Sequence, residues 1–276
     1  MQVSRSAYYS WRSGESYSED EAELAERKAV ESCFSRHLRR YGSRRIRAQL
    51  QRAGRRIGRH KVRRLMHQGA LRAIQPRSFV PRTTDSASTR HPAPNLLRTE
   101  EITAKAPNQV LVGDLTYLPL GSGKWAYLAT WKDVFTRKIV GWDMAGNMRK
   151  ELIINAFKKA TNQQKLSPGL IVHSDQGSQY NSKEFKELLR KNGFRQSMSR
   201  KNEVLDNAFA ESFFSRYKAE LLQNGIFDTC EQAYSLTFEY IEAYFNRIRL
   251  HSGINYQTPQ ECENHYFSKL DFCPDL

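Results

Sequence analysis

The chain has 276 residues, 39% of them apolar, and carries 44 Lys/Arg against 29 Asp/Glu for a formal net charge of +15. That length and apolar share suffice for a buried core and for more than one folded unit. No stretch reaches the roughly 18 apolar residues of a membrane span, and the first residues lack the apolar core of an export signal.

Cys33, Cys230, Cys262 and Cys273 are scattered with no Cys-x-x-Cys pair. They read as reduced thiols of a cytoplasmic protein, not as a disulfide framework or a zinc site. The charge is unevenly placed. Residues 1–107 hold 23 Lys/Arg and 10 Asp/Glu, whereas 108–276 hold 21 and 19. Between residues 36 and 82 stand 16 basic residues and no acidic one. A block so one-sided repels itself unless a polyanion is present, so nucleic acid is the expected partner. A membrane surface suits it less, because the basic residues come with helix-turn punctuation and few aromatic wedges.

Residues 19–40 predict a helix with an acidic first turn (Glu19, Asp20, Glu21, Glu23) and a basic last turn, the order that suits the helix dipole. A second helix follows from Arg44 to Arg52, and a third from Arg59 to His67 with Val62, Leu65 and Met66 inward and Gly69 as stop. Two short helices joined by a Gly-containing turn make residues 1–74 a basic, all-α, helix-turn-helix-like region. Arg44, Arg45, Arg59, Lys61, Arg63 and Arg64 are its candidate DNA contacts. A bundle that only clamps phosphates is the plainer alternative. Residues 75–107 contain Pro76, Pro81, Pro92, Pro94 and Pro107 among many Ser and Thr, which predicts a linker or extended arm.

From Gln109 the pattern turns to strands at 109–119, 125–132 and 138–144, with Gly121-Ser122-Gly123 as a hairpin turn. Next come a helix at 150–163, a buried strand at 169–174 and a helix from Ser182 to Lys191, capped by Asn181 or Ser182. A short strand (194–198) and helices at 207–222 and 231–248 complete residues 108–276. Three antiparallel strands followed by alternating helices and parallel strands predict an α/β fold, a ribonuclease H-like mixed sheet with flanking helices.

Three carboxylates stand out. Asp114 interrupts the apolar run Val110–Leu118, Asp175 ends the run Ile171–Ser174, and Glu211 opens an amphipathic helix. Clustered acids of this kind suit Mg2+ or Mn2+, which take hard oxygen ligands. Two such ions can serve both oxygens of an in-line phosphoryl displacement. Phe209, Phe213, Tyr217 and Leu221 recur every four residues as the expected core face of the Glu211 helix. Glu211 then shares an outer edge with Asn207 and Lys218. Each acid also has a structural alternative: a bond to a strand end for Asp114, a loop cap for Asp175, and a favourable helix start for Glu211. Asp133, Asp143 and Asp206 compete as acids, and His173 reads as a packed strand residue.

Gly113-Asp114-Leu115-Thr116-Tyr117, His173-Ser174-Asp175-Gln176-Gly177-Ser178-Gln179-Tyr180 and Asp206-Asn207-Ala208-x-x-Glu211-Ser212 resemble the acid signature of the retroviral-integrase-like transposase core. The whole chain resembles the second-frame (OrfB-type) transposases of bacterial insertion sequences of the IS-three group. Ser4–Tyr9, Tyr41–Ile46 and Tyr244–Ser252 through Thr258-Pro259 support that. The resemblance implies an integrase-type core in which Asp114, Asp175 and Glu211 are the catalytic triad and hold Mg2+ or Mn2+, two ions per site. It implies double-stranded DNA, the element's ends and the target, as partner, with Asn207 and Lys218 beside the DNA ends. The activity implied is cleavage at the element's ends and strand transfer by the freed 3′-OH. A homo-oligomer on DNA, an upstream-frame helix-turn-helix protein or a fusion to it, and a cytoplasmic, nucleoid-associated location are implied too. The alternative is a catalytically silent DNA-binding regulator.

Overall fold

The computed structural model describes residues 3–14, 21–76, 92–200, 203, 208–222 and 225–272. The chain divides into two compact units, Met1–Ile74 and Gln75–Leu276. In the first, α1 (Arg5–Arg12) is an element the sequence did not announce; α2 (Glu21–Arg36), α3 (Ser43–Arg52) and α4 (Arg59–Gln68) follow. The last three pack on one another and bury Val30, Phe34, Ile46, Leu50, Val62 and Leu65. The helix expected over 19–40 stops at Arg36, because Leu38 and Arg39 take left-handed φ values of 50° and 61°. Gly54, at φ 79°, turns the chain after α3.

The second unit is built on a five-stranded mixed sheet in the order β3-β2-β1-β4-β5. Strands β1 (Val110–Pro119), β2 (Trp125–Asp133) and β3 (Ile139–Ala145) form an antiparallel meander, with the first turn at Gly121–Gly123. Strands β4 (Ile171–Ser174) and β5 (Arg195–Met198) run parallel to β1; β4 is buried throughout, and β5 is buried at Ser197 and Met198. Leu96 N–H donates to Ser197 Oγ at 3.0 Å, so the stretch around the short helix α5 (Leu96–Thr99) is fastened to β5. Within 75–107, the stretch from Pro94 to Leu96 is therefore joined to the sheet, and 77–91 lie outside the described residues.

Trp131 on β2 is the hub of the core. Its ring stacks on Phe185 (5.7 Å between centroids) and meets Phe157 and Tyr180 edge-on. The ring lies across Gly113 of β1, where any Cβ would overlap it. Gly141 of β3 likewise lets α6 (Lys150–Gln163) approach at Ala156 and Ala160. Helix α7 (Lys183–Lys191) begins where the Ser182 hydroxyl accepts the Phe185 N–H. Asn246 brackets the sheet edge, accepting the Ile139 N–H and donating to the Ile139 carbonyl, each at 3.0 Å.

Helix α8 (Ala208–Tyr217) runs on as a wider π turn at Lys218–Leu222, and α9 (Cys230–Phe238) does the same at Glu239–Phe245. The last helix, α10 (Pro259–Phe272), lies beyond the helix expected at 231–248. The expected core stripe of α8 is corrected at its first member. Phe213 and Tyr217 are buried, but Phe209 is 43% exposed, with the Arg137 guanidinium 4.4 Å from its ring centroid. In its place Phe214 is buried.

Candidate active site

Asp114 lies mid-strand in β1, opposite Thr130. Its Oδ1 accepts the Leu115 N–H at 2.8 Å, and its side chain is only partly open to solvent. Asp175 directly follows β4, and its Oδ1 accepts the Gly177 N–H at 2.9 Å. A Cβ at Gly177 would press on that oxygen. The parallel register sets Val112 beside His173, so two residues on, Asp114 and Asp175 stand at the same level of neighbouring strands. Glu211 is exposed on the first turn of α8.

The three carboxylates share one field. Asp114's pKa is pushed up to about 8, first by burial, then by the charge of Asp175 and more weakly by that of Glu211. The Leu115 N–H and the Lys218 ammonium oppose that rise. Glu211's is raised by desolvation and by Asp175. Desolvation raises Asp175's pKa too, against the Gly177 N–H bond that lowers it, although the residue is exposed at the surface. Like charges held this close favour a cation among them. The acids are nonetheless not drawn into a finished cluster: among the described residues no three His, Cys, Asp or Glu side chains are close enough to grip one metal ion.

Lys218 opens the π turn and lies over the Tyr117 ring, 4.5 Å from its centroid. It is half-buried and its charge acts on Asp114, so it belongs to the floor of the site and not to an outer edge. Asn207 and Asp206 lie outside the described residues.

The competing acids are otherwise engaged. Asp133 is buried and accepts from Asn108 N, Thr136 N and Thr136 Oγ1, fixing the β2–β3 turn. Asp143 pairs with Lys159 at 2.7 Å. His173 is buried between the hydroxyls of Ser197 (2.8 Å) and Ser199 (3.1 Å), the packed strand role expected of it.

In the first unit Arg44, Arg59 and Arg63 are exposed, and Arg45 leans on the Tyr41 ring. Lys61 and Arg64 are instead turned to α2, paired with Glu26 and Glu23. Sequence reading missed Lys132. It is buried on β2, and its Nζ donates to the Phe209 carbonyl at 2.9 Å. A lysine inside the run Trp131-Lys132-Asp133 of a core strand was the available signal.

The family described as "HTH-like domain" matches residues 19–79, and two described as "Integrase core domain" match 104–203 and 192–259. The chain is 40% identical over 237 residues to the transposase for insertion sequence element IS904 of Lactococcus lactis, covering 86% of this chain and 92% of the relative. It is 38% identical over 264 residues to a 31 kDa protein of insertion element IS600 of Shigella sonnei, covering 96% of each. With the transposase InsF of Escherichia coli insertion sequence IS3A it shares 32% over 266 residues, 96% of this chain and 91% of the relative. A solved HTLV-2 integrase catalytic core superposes with a TM-score of 0.43 at 15% identity, over 58% of this chain and 99% of that one. At 32–40% identity over nearly their full length, with the integrase core and helix-turn-helix-like domains in place, the chain belongs to the insertion-sequence transposases.

Proposed function

We propose that Asp114, Asp175 and Glu211 are the catalytic carboxylates of this transposase, and that together they hold Mg2+ or Mn2+, two ions per site. The observation that carries the reading is the β1–β4 register, which sets Asp114 and Asp175, 61 residues apart in sequence (175 − 114), at one level of neighbouring strands; Glu211, 36 residues further on (211 − 175), feels the charge of Asp175 and acts on Asp114. The donor set fits such ions, since all three ligands are hard oxygens and no described lysine or arginine forms an ion pair with them. A divalent ion bound there supplies Lewis-acid activation of the attacking oxygen and charge stabilisation of the leaving one.

The chain's own contribution is placement. Asp114 and Asp175 are held rigidly, one by the Leu115 N–H and the other by the Gly177 N–H. Glu211 comes from a separate helix and completes the set from above the sheet. Lys218, whose charge acts on Asp114, is proposed to meet a DNA phosphate, and so is Asn207. Water cleaves the 3′ end of the element, and the freed 3′-OH then attacks a target phosphodiester. Each step exchanges one P–O bond for another, without a covalent enzyme intermediate. Arg44, Arg45, Arg59 and Arg63 are the proposed phosphate contacts of the first unit. Assembly as a homo-oligomer on DNA, cooperation with an upstream-frame helix-turn-helix protein and a nucleoid-associated location accord with this activity.

Asp175→Asn tests the reading. It is expected to abolish strand transfer from a pre-cut end while leaving duplex binding unchanged. Retained transfer overturns the assignment, and a wild-type chain that binds ends but never transfers them points to a silent regulator.

A further inference from the structure

A cavity of about 770 Å³ opens in the second unit between the α5 stretch, the β2–β3 turn, the first turn of α8 and α10. Arg98, Arg137 and Lys269 line it, and no Asp or Glu does among the described residues. Arg98 and Lys269 are exposed and form no ion pair among the described residues, and Arg137 rests on the Phe209 ring. Arg137 already feels the Asp133 carboxylate from behind the cavity wall, so Arg98 and Lys269 are the two cations that an anion would join. The remaining walls are not those of a simple phosphate cradle. Phe135 and Tyr266 meet edge-on at 5.5 Å between centroids, and Gln257 offers a side-chain amide without a hydrogen-bond partner among the described residues.

We infer that this cavity takes one unpaired nucleotide of the DNA on which the protein acts, its base against Phe135 and Tyr266 and its phosphate between Arg98 and Lys269. The inference rests on the reading of this chain as a DNA transposase but assigns a site apart from the three acids. The volume falls in the range of pockets that enclose a small organic molecule. Aromatic faces accept any base, cations track the backbone, and an amide can bond a base edge. Inside a duplex each base is stacked on both faces and offers neither to the aromatic walls, so the occupant is a nucleotide out of the duplex stack.

The location fits a strand that has just left the active site. Phe209 lines the cavity two residues before Glu211, and Val110 lines it four residues before Asp114, about 13 Å along the strand.

The test uses the full chain and two probes: a blunt DNA duplex, and the same duplex with a three-nucleotide single-stranded overhang carrying 2-aminopurine. The expected result is quenching of the 2-aminopurine on binding. Tyr266→Leu should remove the quenching. The double charge reversal Arg98→Glu with Lys269→Glu, at two exposed positions, should weaken the overhang duplex about tenfold or more and the blunt duplex far less. Equal weakening of both probes, or wild-type binding without quenching, overturns the inference. Asp175→Asn measured alongside keeps the two readings apart. Quenching without strand transfer supports both, whereas transfer by that variant removes the triad assignment and leaves the cavity result standing.

Discussion

The ammonium of Lys132 lies beneath α8 and donates a 2.9 Å hydrogen bond to the carbonyl of Phe209, two residues before Glu211. The β2–β3 ladder shifts register at Trp131/Lys132, and such bulges re-aim a side chain out of the regular alternation. A cation beneath the first turn of a helix opposes the helix dipole, so its role there is not stabilisation by charge. Burial and the charges of Arg137 and Arg249 lower its pKa to about 7, and the amine keeps N–H donors in either state.

We therefore expect Lys132→Met to act on Glu211's position and not on folding. A hydrogen bond of this kind is worth about 1.5–3 kcal/mol, so the single-turnover rate of strand transfer should fall about tenfold or more. The melting temperature should hold, because a buried charge is removed with the bond. An unchanged rate at saturating DNA would show that α8 is set without Lys132.

Much of this architecture was legible because its signals are local. The β-branched and aromatic runs of β1–β3, the Gly121–Gly123 turn and the Ser182 cap each declare an element within a few residues. Helix α10 has a local signal too: Thr258-Pro259-Gln260-Glu261 is a capping box with proline at its first helical position. Thr258 N–H donates to Glu261 Oε2 and Glu261 N–H to Thr258 Oγ1. What stayed hidden depends on partners far away in sequence. Nothing near Asn246 says that it clips the backbone of Ile139, and nothing near Phe209 says that Arg137 and Lys132 hold it from outside the core. Likewise, the acids that engage Lys61 and Arg64 sit a helix away on α2.

Glu220 and Arg249 form an ion pair at 2.6 Å with both side chains almost wholly buried, and the Tyr240 hydroxyl donates to the same carboxylate at 2.8 Å. Removing one partner strands a charge in the core. Glu220→Leu is expected to cost about 3–5 kcal/mol in a denaturant titration. The double variant Glu220→Leu with Arg249→Met should regain most of that loss. A double variant as unstable as the single one would show that the pair itself, and not the stranded arginine, carries the stability.

His37 is buried against Tyr41, the rings stacked at 3.7 Å. Burial, with the charges of Arg36 and Arg40, lowers its pKa from 6.5 to about 4. The unfolded chain thus binds a proton between pH 6.5 and 4 that the folded chain refuses, so stability is full above pH 6.5 and falls as pH drops towards 4, by about 3 kcal/mol at most. Nuclear magnetic resonance titration of the imidazole should give a midpoint near 4. His37→Phe, which keeps a ring on Tyr41, should flatten the stability profile across that window. A midpoint at 6.5 would refute the prediction.

Charge in the first unit divides into spoken-for and free. Lys61 and Arg64 pair with Glu26 and Glu23 of α2, whereas Arg44, Arg59 and Arg63 face solvent. Exposed pairs of this type add little stability, but they do neutralise cations that would otherwise meet phosphates. If five or six residues of the basic block between Arg36 and Arg82 touch DNA, the log–log salt dependence of duplex binding has a slope of roughly −4 to −5. Arg59→Ala and Arg63→Ala should each make it shallower by about one. Lys61→Ala removes a cation and frees Glu26 as an uncompensated anion, so it should weaken binding through repulsion while changing the slope less. A slope near zero would mean that the basic block does not meet the phosphate backbone. An equal response at Lys61 and Arg63 would mean that the α2 pairs open when DNA arrives.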